Sequence, residues 1–219
     1  MNGRLSNQRT LGLTLVEVLI SIAAVVVLAG ILLPALAKSK TRGNYVTCIS
    51  NIRQLGLAMR MFSQDHEDKF PWATSVTNGG TLEYSTTTNV FLHYLALSNE
   101  LSSPKVLHCS KDTQRPRASS WEQLTNNSFL SYFAGLDADS TNPNSQSILC
   151  GDRNMTTNGR PAIGLVRFTT NLLAGWTGTL HANVGTIGLS DGSAQYVSSR
   201  AFNLQFAAVT NAIVQLAIP

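Results

Sequence analysis

Glu17 is the one charged residue between Leu13 and Ala37. A carboxylate among apolar neighbours is costly to desolvate, so it implies a partner cation or a watery edge. Four histidines, His66, His93, His108 and His181, are the other candidates for acid–base or ligand chemistry. Serines and aspartates are plentiful enough that a Ser–His–Asp set can always be drawn, so such a set carries little information. The chain has no G-x-S-x-G, no H-E-x-x-H and no phosphate-binding glycine loop. Asp137, Asp139, Asn142 and Asn144 offer hard oxygens of the kind calcium takes, without the full spacing of an EF-hand loop. Calcium is therefore the one cofactor left open, and no metal-ligand set is assigned. Lys105, Lys111, Arg115 and Arg117 form a local basic stretch offset by Asp112, which reads as a solvated loop.

Three cysteines, Cys48, Cys109 and Cys150, lack the tight C-x-x-C spacing of a metal site. An oxidising compartment would permit one disulfide and leave one thiol. Cys48 falls on a long helical pattern, and the expected pair is Cys109 with Cys150. Spacing alone leaves this connectivity open.

The elements that must position these groups follow from periodicity. A helix over 13–37 would be about 37 Å long, enough for a hydrocarbon core of about 30 Å. Beyond Gly43, apolar residues recur at Tyr45, Cys48, Ile49, Ile52, Leu55, Met59 and Phe62, with Asn51, Arg53, Gln54 and Arg60 opposite. Steps of three and four predict an amphipathic helix. One helix thus runs from about Thr14 to about Gln64, greasy all round and then two-faced, with a kink expected at Pro34. The head begins near residue 67. It is predicted to hold a short helix from Asn89 to Ser98, strands over Lys105–Cys109, Phe129–Phe133, Ser147–Leu149 and Gly164–Asn171, and loops between them. Thr186–Leu189 and Ala194–Val197 flank Asp191-Gly192 and predict a hairpin with a two-residue type I′ turn, pairing Leu189 with Ala194. Phe202, Phe206, Val209, Ile213 and Leu216 predict a C-terminal amphipathic helix. The expected class is α+β: a long N-terminal membrane helix packed on an antiparallel sheet.

The formal net charge is +4, and removing residues 1–12, which hold Arg4 and Arg9 and no acid, leaves +2. So weak a charge gives no argument for nucleic acid as a partner. A head rich in Ser, Thr, Asn and Gly suits an exported domain.

Gly12-Leu13-Thr14-Leu15-Val16-Glu17, after a basic leader and before the apolar run, resembles the class III signal of type IV pilins and type II secretion pseudopilins. The resemblance implies that a prepilin peptidase cuts after Gly12, that Leu13 becomes a methylated N-terminus, and that Glu17 pairs with a neighbouring subunit's terminal amine during assembly. It places the chain in the inner membrane, single-pass, with its head exported to the periplasm or cell surface. Its partners are then other pilin-like subunits in a pseudopilus or pilus, and no catalysis is expected. His181, nine residues, then Asp191-Gly192 resembles the C-terminal H-x9-D-G motif of one large group of prepilin-type proteins. Asn51-Ile52-Arg53-Gln54-Leu55-Gly56 resembles a string found in the same group. The domains implied are a leader (1–12), a membrane and assembly helix (13–37), its amphipathic continuation (38–66) and a head (67–219). Other readings of the residues remain: a signal peptide cut after Ala35-Leu36-Ala37, a monomeric anchored binding protein, or an exported hydrolase using a histidine. Basic residues flank the apolar run on both sides, so charge does not orient it.

Overall fold

The computed structural model describes residues 14–138, 147–169, 172–208 and 214–219. The first helix, α1, is Leu15–Asp65, and it passes through Pro34 and Gly43 without losing helical backbone. Its start is fixed by Thr14 and Glu17 together. The Thr14 hydroxyl accepts from Glu17 N at 3.3 Å, and a Glu17 carboxylate oxygen accepts from Thr14 N at 2.8 Å. That reciprocal pair is a capping box. Its end is closed by Glu67 and Asp68, both in the left-handed region, with Asp68 N donating to Ser63 O.

The chain divides into two compact units at Gly43. Among the described residues, Leu15–Leu33 is one helical stretch long and apolar enough to cross a membrane. Its large side chains, from Leu15 to Leu33, are exposed to the surroundings.

The second unit, Asn44–Pro219, begins with the amphipathic half of α1. Cys48, Ile52, Leu55, Met59 and Phe62 are buried, as the stripe predicts. Asn51 departs from the expected outer face. It is turned inward, donating to His108 O at 3.0 Å and to the Tyr132 hydroxyl at 3.2 Å. A buried amide is tolerated because those two acceptors satisfy its donors.

The short helix α2, Val90–Leu95, forms where predicted, but Asn89 does not cap it. Asn127 does so from across the chain, accepting from Phe91 N at 3.0 Å and donating to Thr88 O at 2.6 Å. The predicted strand over Lys105–Cys109 is instead a 3-10 turn, Pro104–Leu107. Pro104 fixes the first residue's φ near helical values, and the Ser103 hydroxyl accepts from Lys105 N.

Among the described residues nine strands follow: β1 (Tyr132–Gly135), β2 (Ile148–Asp152), β3 (Met155–Thr157), β4 (Arg160–Pro161), β5 (Gly164–Phe168), β6 (Ala174–Trp176), β7 (Val184–Leu189), β8 (Ala194–Ser198) and β9 (Val214–Ile218). Two helices lie among them, α3 (Gly178–His181) before β7 and α4 (Ser199–Ala208) after β8. Six strands form an antiparallel sheet in the order β5-β9-β1-β2-β7-β8, and three form a smaller one, β4-β3-β6. Side-chain alternation on the large sheet feeds two cores. Tyr132, Ala134 and Cys150 join α1 and α2, whereas Phe133, Ile148 and Ile187 join the small sheet and Phe202 of α4.

Two expectations are corrected here. The C-terminal helix is described over Ser199–Ala208, and Val214–Ile218 is not its continuation but an interior strand between β5 and β1. Leu216 and Ile218 fit either period. Burial of four of the five residues of β9 resolves the ambiguity, because an apolar run buried on both faces pairs well inside a sheet. The hairpin exists, but its register is one residue off: Gly188 pairs Ala194, and Ile187 pairs Gln195. Gly192 has φ +85° while Asp191 keeps a negative φ, and Gly192 N donates to Leu189 O. This is a type I turn followed by a left-handed glycine, a three-residue loop, and one extra residue moves every pairing by one.

Candidate functional site

The strand β7 and its two ends lie along the head-packed half of α1. At one end His181, the last residue of α3, packs against Tyr45 with the rings tilted and their centroids 4.9 Å apart. Ala182 and Asn183, both in the left-handed region, then turn the chain into β7. Midway, Gly188 passes so close to α1 that an added Cβ would stand 2.8 Å from Ile52 Cγ2. At the far end Gly192 faces Gly56, and Arg60 Nη1 donates to Asp191 O at 2.7 Å. A strand of this length covers about 20 Å, as does the α1 segment from Tyr45 to Arg60 at about 1.5 Å per residue. The H-x9-D-G spacing therefore matches two contact points on one helix. It does not bring His181 and Asp191 together, since they sit at opposite ends of β7.

His181 is the chemically distinctive member. It is buried, and its Nε2 lies 3.4 Å from Cys109 Sγ and 3.5 Å from a carboxylate oxygen of Asp152. The same Asp152 oxygen accepts from Thr186 N at 2.6 Å. Burial pushes Asp152 up to about 7, against which the Thr186 hydrogen bonds act, and burial pushes His181 down to about 4, helped by the charge of Lys111. His181 is thus neutral near pH 7, and its contact with Asp152 is not an ion pair. Cys109 and Asp152 both face the same ring nitrogen, and Nδ1 has no hydrogen-bond partner among the described residues. A nucleophile–base–orienter relay needs the two on opposite nitrogens, so this arrangement is not a triad.

Cys109 is disulfide-bonded to Cys48, with Cα atoms 5.5 Å apart, and Cys150 is a buried free thiol. The expected Cys109–Cys150 pair is therefore corrected. Cys48 faces the head from the buried stripe of α1, within reach of the loop that follows Pro104–Leu107. Cys150 lies inside β2, beside Gly188, and burial pushes its thiol well above the usual range.

The remaining histidines serve packing. His66 stacks on Phe62 at 3.8 Å. His93 Nδ1 bonds the Thr81 hydroxyl, and burial alone pushes it down to about 4. His108 Nε2 lies 3.1 Å from the carbonyls of Asp112 and Arg115. The basic stretch is partly structural too, since Arg115 donates to the carbonyls of Asn127 and Pro219. Of the four candidate calcium ligands, Asp139, Asn142 and Asn144 lie outside the described residues. The Asp137 carboxylate accepts from Gln215 N at the start of β9.

A second buried charge braces the cluster. Arg153 holds Asp112 through two bonds of 2.7 Å, and Ser131 adds a third at 2.9 Å. Burial pushes the Asp112 carboxyl up, but the Arg153 and Ser131 contacts outweigh it and leave the carboxyl below its usual value. Asp112 N donates to Cys109 O, and Arg153 follows Asp152, so the pair ties together the loop and the strand that carry two of the clustered groups.

Sequence reasoning missed Asp152, Thr14 and the inward role of Asn51. Thr14-x-x-Glu17 is a readable capping signal. Nothing in the spacing of Asp152 points to His181. Comparisons with protein-family models, with curated proteins and with solved structures returned no match.

Proposed function

We propose that this chain is a pilin-like structural subunit: cut by a prepilin peptidase after Gly12, held in the inner membrane by its apolar helix, and assembled side by side with other pilin-like subunits into a pseudopilus or pilus for secretion or attachment. The observation that carries this reading is α1 itself. One half presents apolar side chains on every face from Leu15 to Leu33, and the other is built into the core of an α+β head. A helix apolar all round belongs in lipid or among other helices. Glu17 sits at its first turn, one turn from the amine that cleavage would create on Leu13. In the head, the H-x9-D-G segment acts as a brace along the Tyr45–Arg60 part of α1.

Mass spectrometry of the protein from membranes tests the reading. The expected mature chain begins at methylated Leu13, and Gly12→Val blocks cutting. A mature chain beginning at Lys38 would establish a secreted domain instead.

A further inference from the structure

Three donor atoms converge at the Tyr45 end of the brace, and a fourth stands beside one of them. Cys48 Sγ, Cys109 Sγ and His181 Nε2 lie within 4.8 Å of one another. Asp152 Oδ2 stands 3.5 Å from the same nitrogen. The four side chains come from α1, from the loop after Pro104–Leu107, from α3 and from β2, and all are buried. In a tetrahedral zinc site, bonds of about 2.0–2.3 Å put donor atoms about 3.3–3.8 Å apart. The 3.4 Å Cys109–His181 and 3.5 Å Asp152–His181 separations match two edges of that tetrahedron. A further observation asks for a cation: Asp152 Oδ1 is buried with no hydrogen-bond partner among the described residues. A metal ion accepts lone pairs from all four groups at once.

We propose that Cys48, Cys109, His181 and Asp152 form a zinc site, open when the two cysteines are thiols, to which the Cys48–Cys109 disulfide is the metal-free alternative. Opening it needs a dithiol or phosphine reductant. Two electrons and two protons go to the disulfide, its S–S bond breaks, two S–H bonds form, and the reductant is oxidised. Zinc then displaces both thiol protons and is held by two thiolates, a neutral imidazole and a carboxylate, a donor set suited to zinc. Metal and disulfide join α1 to the same loop. The head thereby has one cross-link for a reducing compartment and another for an oxidising one.

The test uses the full chain in detergent, oxidised or reduced with a phosphine, and titrated with cobalt(II) as the spectroscopic probe. The reduced protein is expected to bind one equivalent with the strong visible bands of a tetrahedral site and a thiolate-to-cobalt transition, both displaced by zinc. The oxidised protein should show neither, and Cys150→Ala should retain both. His181→Gln and Asp152→Asn should each weaken zinc binding at least about tenfold, since even outer partners of such sites count for that much. The proposal is overturned if reduced wild type binds no stoichiometric cobalt. It is equally overturned if the bands survive in both ligand variants or vanish in Cys150→Ala. The comparison of oxidised with reduced wild type, checked for fold by circular dichroism, stands even if a variant misfolds.

Discussion

Replacing Arg153 with methionine should be among the most damaging single changes in the head. Asp112 has no exposed side-chain surface and Arg153 has 13%, and the two share a pair of 2.7 Å bonds. Removing one partner of a buried pair typically costs about 3–5 kcal/mol, because the other charge stays behind uncompensated. Here the Ser131 hydroxyl and Gln114 N still donate to Asp112, and Arg153 is not wholly enclosed. The lower end of that range, about 3 kcal/mol, is therefore expected. For a unit of this size, about 2–4 °C accompanies each kcal/mol, so the melting temperature should fall by about 6–12 °C.

Thermal unfolding of the full chain in detergent, followed by circular dichroism, reads this directly. Asp112→Asn with Arg153→Met should lose less than the two single changes added together, because the double variant leaves no orphaned charge. The pH dependence gives a second check. The Asp112 carboxyl is held below its unfolded value, so its contribution is complete above about pH 3.9 and is lost as pH falls through the lower folded value. Arg153→Met should abolish that acid-side loss. A cost below about 1 kcal/mol, the size found for exposed pairs, would refute the reasoning and mean that water reaches Asp112.

Three further outcomes are expected. Gly192→Val should destabilise the head by about 1–3 kcal/mol, because a β-branched residue resists the left-handed φ of the turn; an unchanged melting temperature would contradict the turn. His93 is held neutral by burial at about 4 rather than 6.5, so its contribution is whole above pH 6.5 and disappears as pH falls towards 4. Wild type should then lose about 3 kcal/mol more than His93→Gln between pH 7 and pH 4, measured by urea unfolding. Gly12→Val should leave the leader attached, seen as the unprocessed mass in membranes.

Legibility followed the range of the interaction. The helix from Thr14 onward and its buried stripe were readable because period and burial act within a few residues. Phe202 to Leu216 misled for the same reason: the spacing continues helically, while β9 is decided by partners in β5 and β1 that are distant in sequence. The type I′ turn was a reasonable reading of Asp191-Gly192, yet β7 settles with Gly188 against Ala194, one residue from the expected register. Asn127 capping α2, and Cys48 rather than Cys150 meeting Cys109, depend on tertiary placement that no local pattern encodes. Asp152 belongs with these: it is an ordinary residue in the sequence and an enclosed carboxylate beside His181 in the fold.

Glu17 shows how a residue with one apparent purpose can have two. Its charge in an apolar helix suggests a partner in a neighbouring subunit, yet Thr14 already supplies hydrogen bonds to it within the chain. The carboxylate alone therefore does not argue for assembly; the two roles must be separated. Glutamine serves a capping box as glutamate does, so Glu17→Gln keeps the helix start while removing the charge. Thr14→Val does the reverse, removing the capping hydroxyl and sparing the charge. If pairing with the terminal amine of Leu13 drives assembly, Glu17→Gln should insert normally and fail to form cross-linkable filaments, whereas Thr14→Val should still assemble. Membrane fractionation alongside cross-linking reads both steps. The opposite pattern, assembly surviving Glu17→Gln and failing in Thr14→Val, would make Glu17 a helix-capping residue and leave the anchored monomer as the better account of the chain.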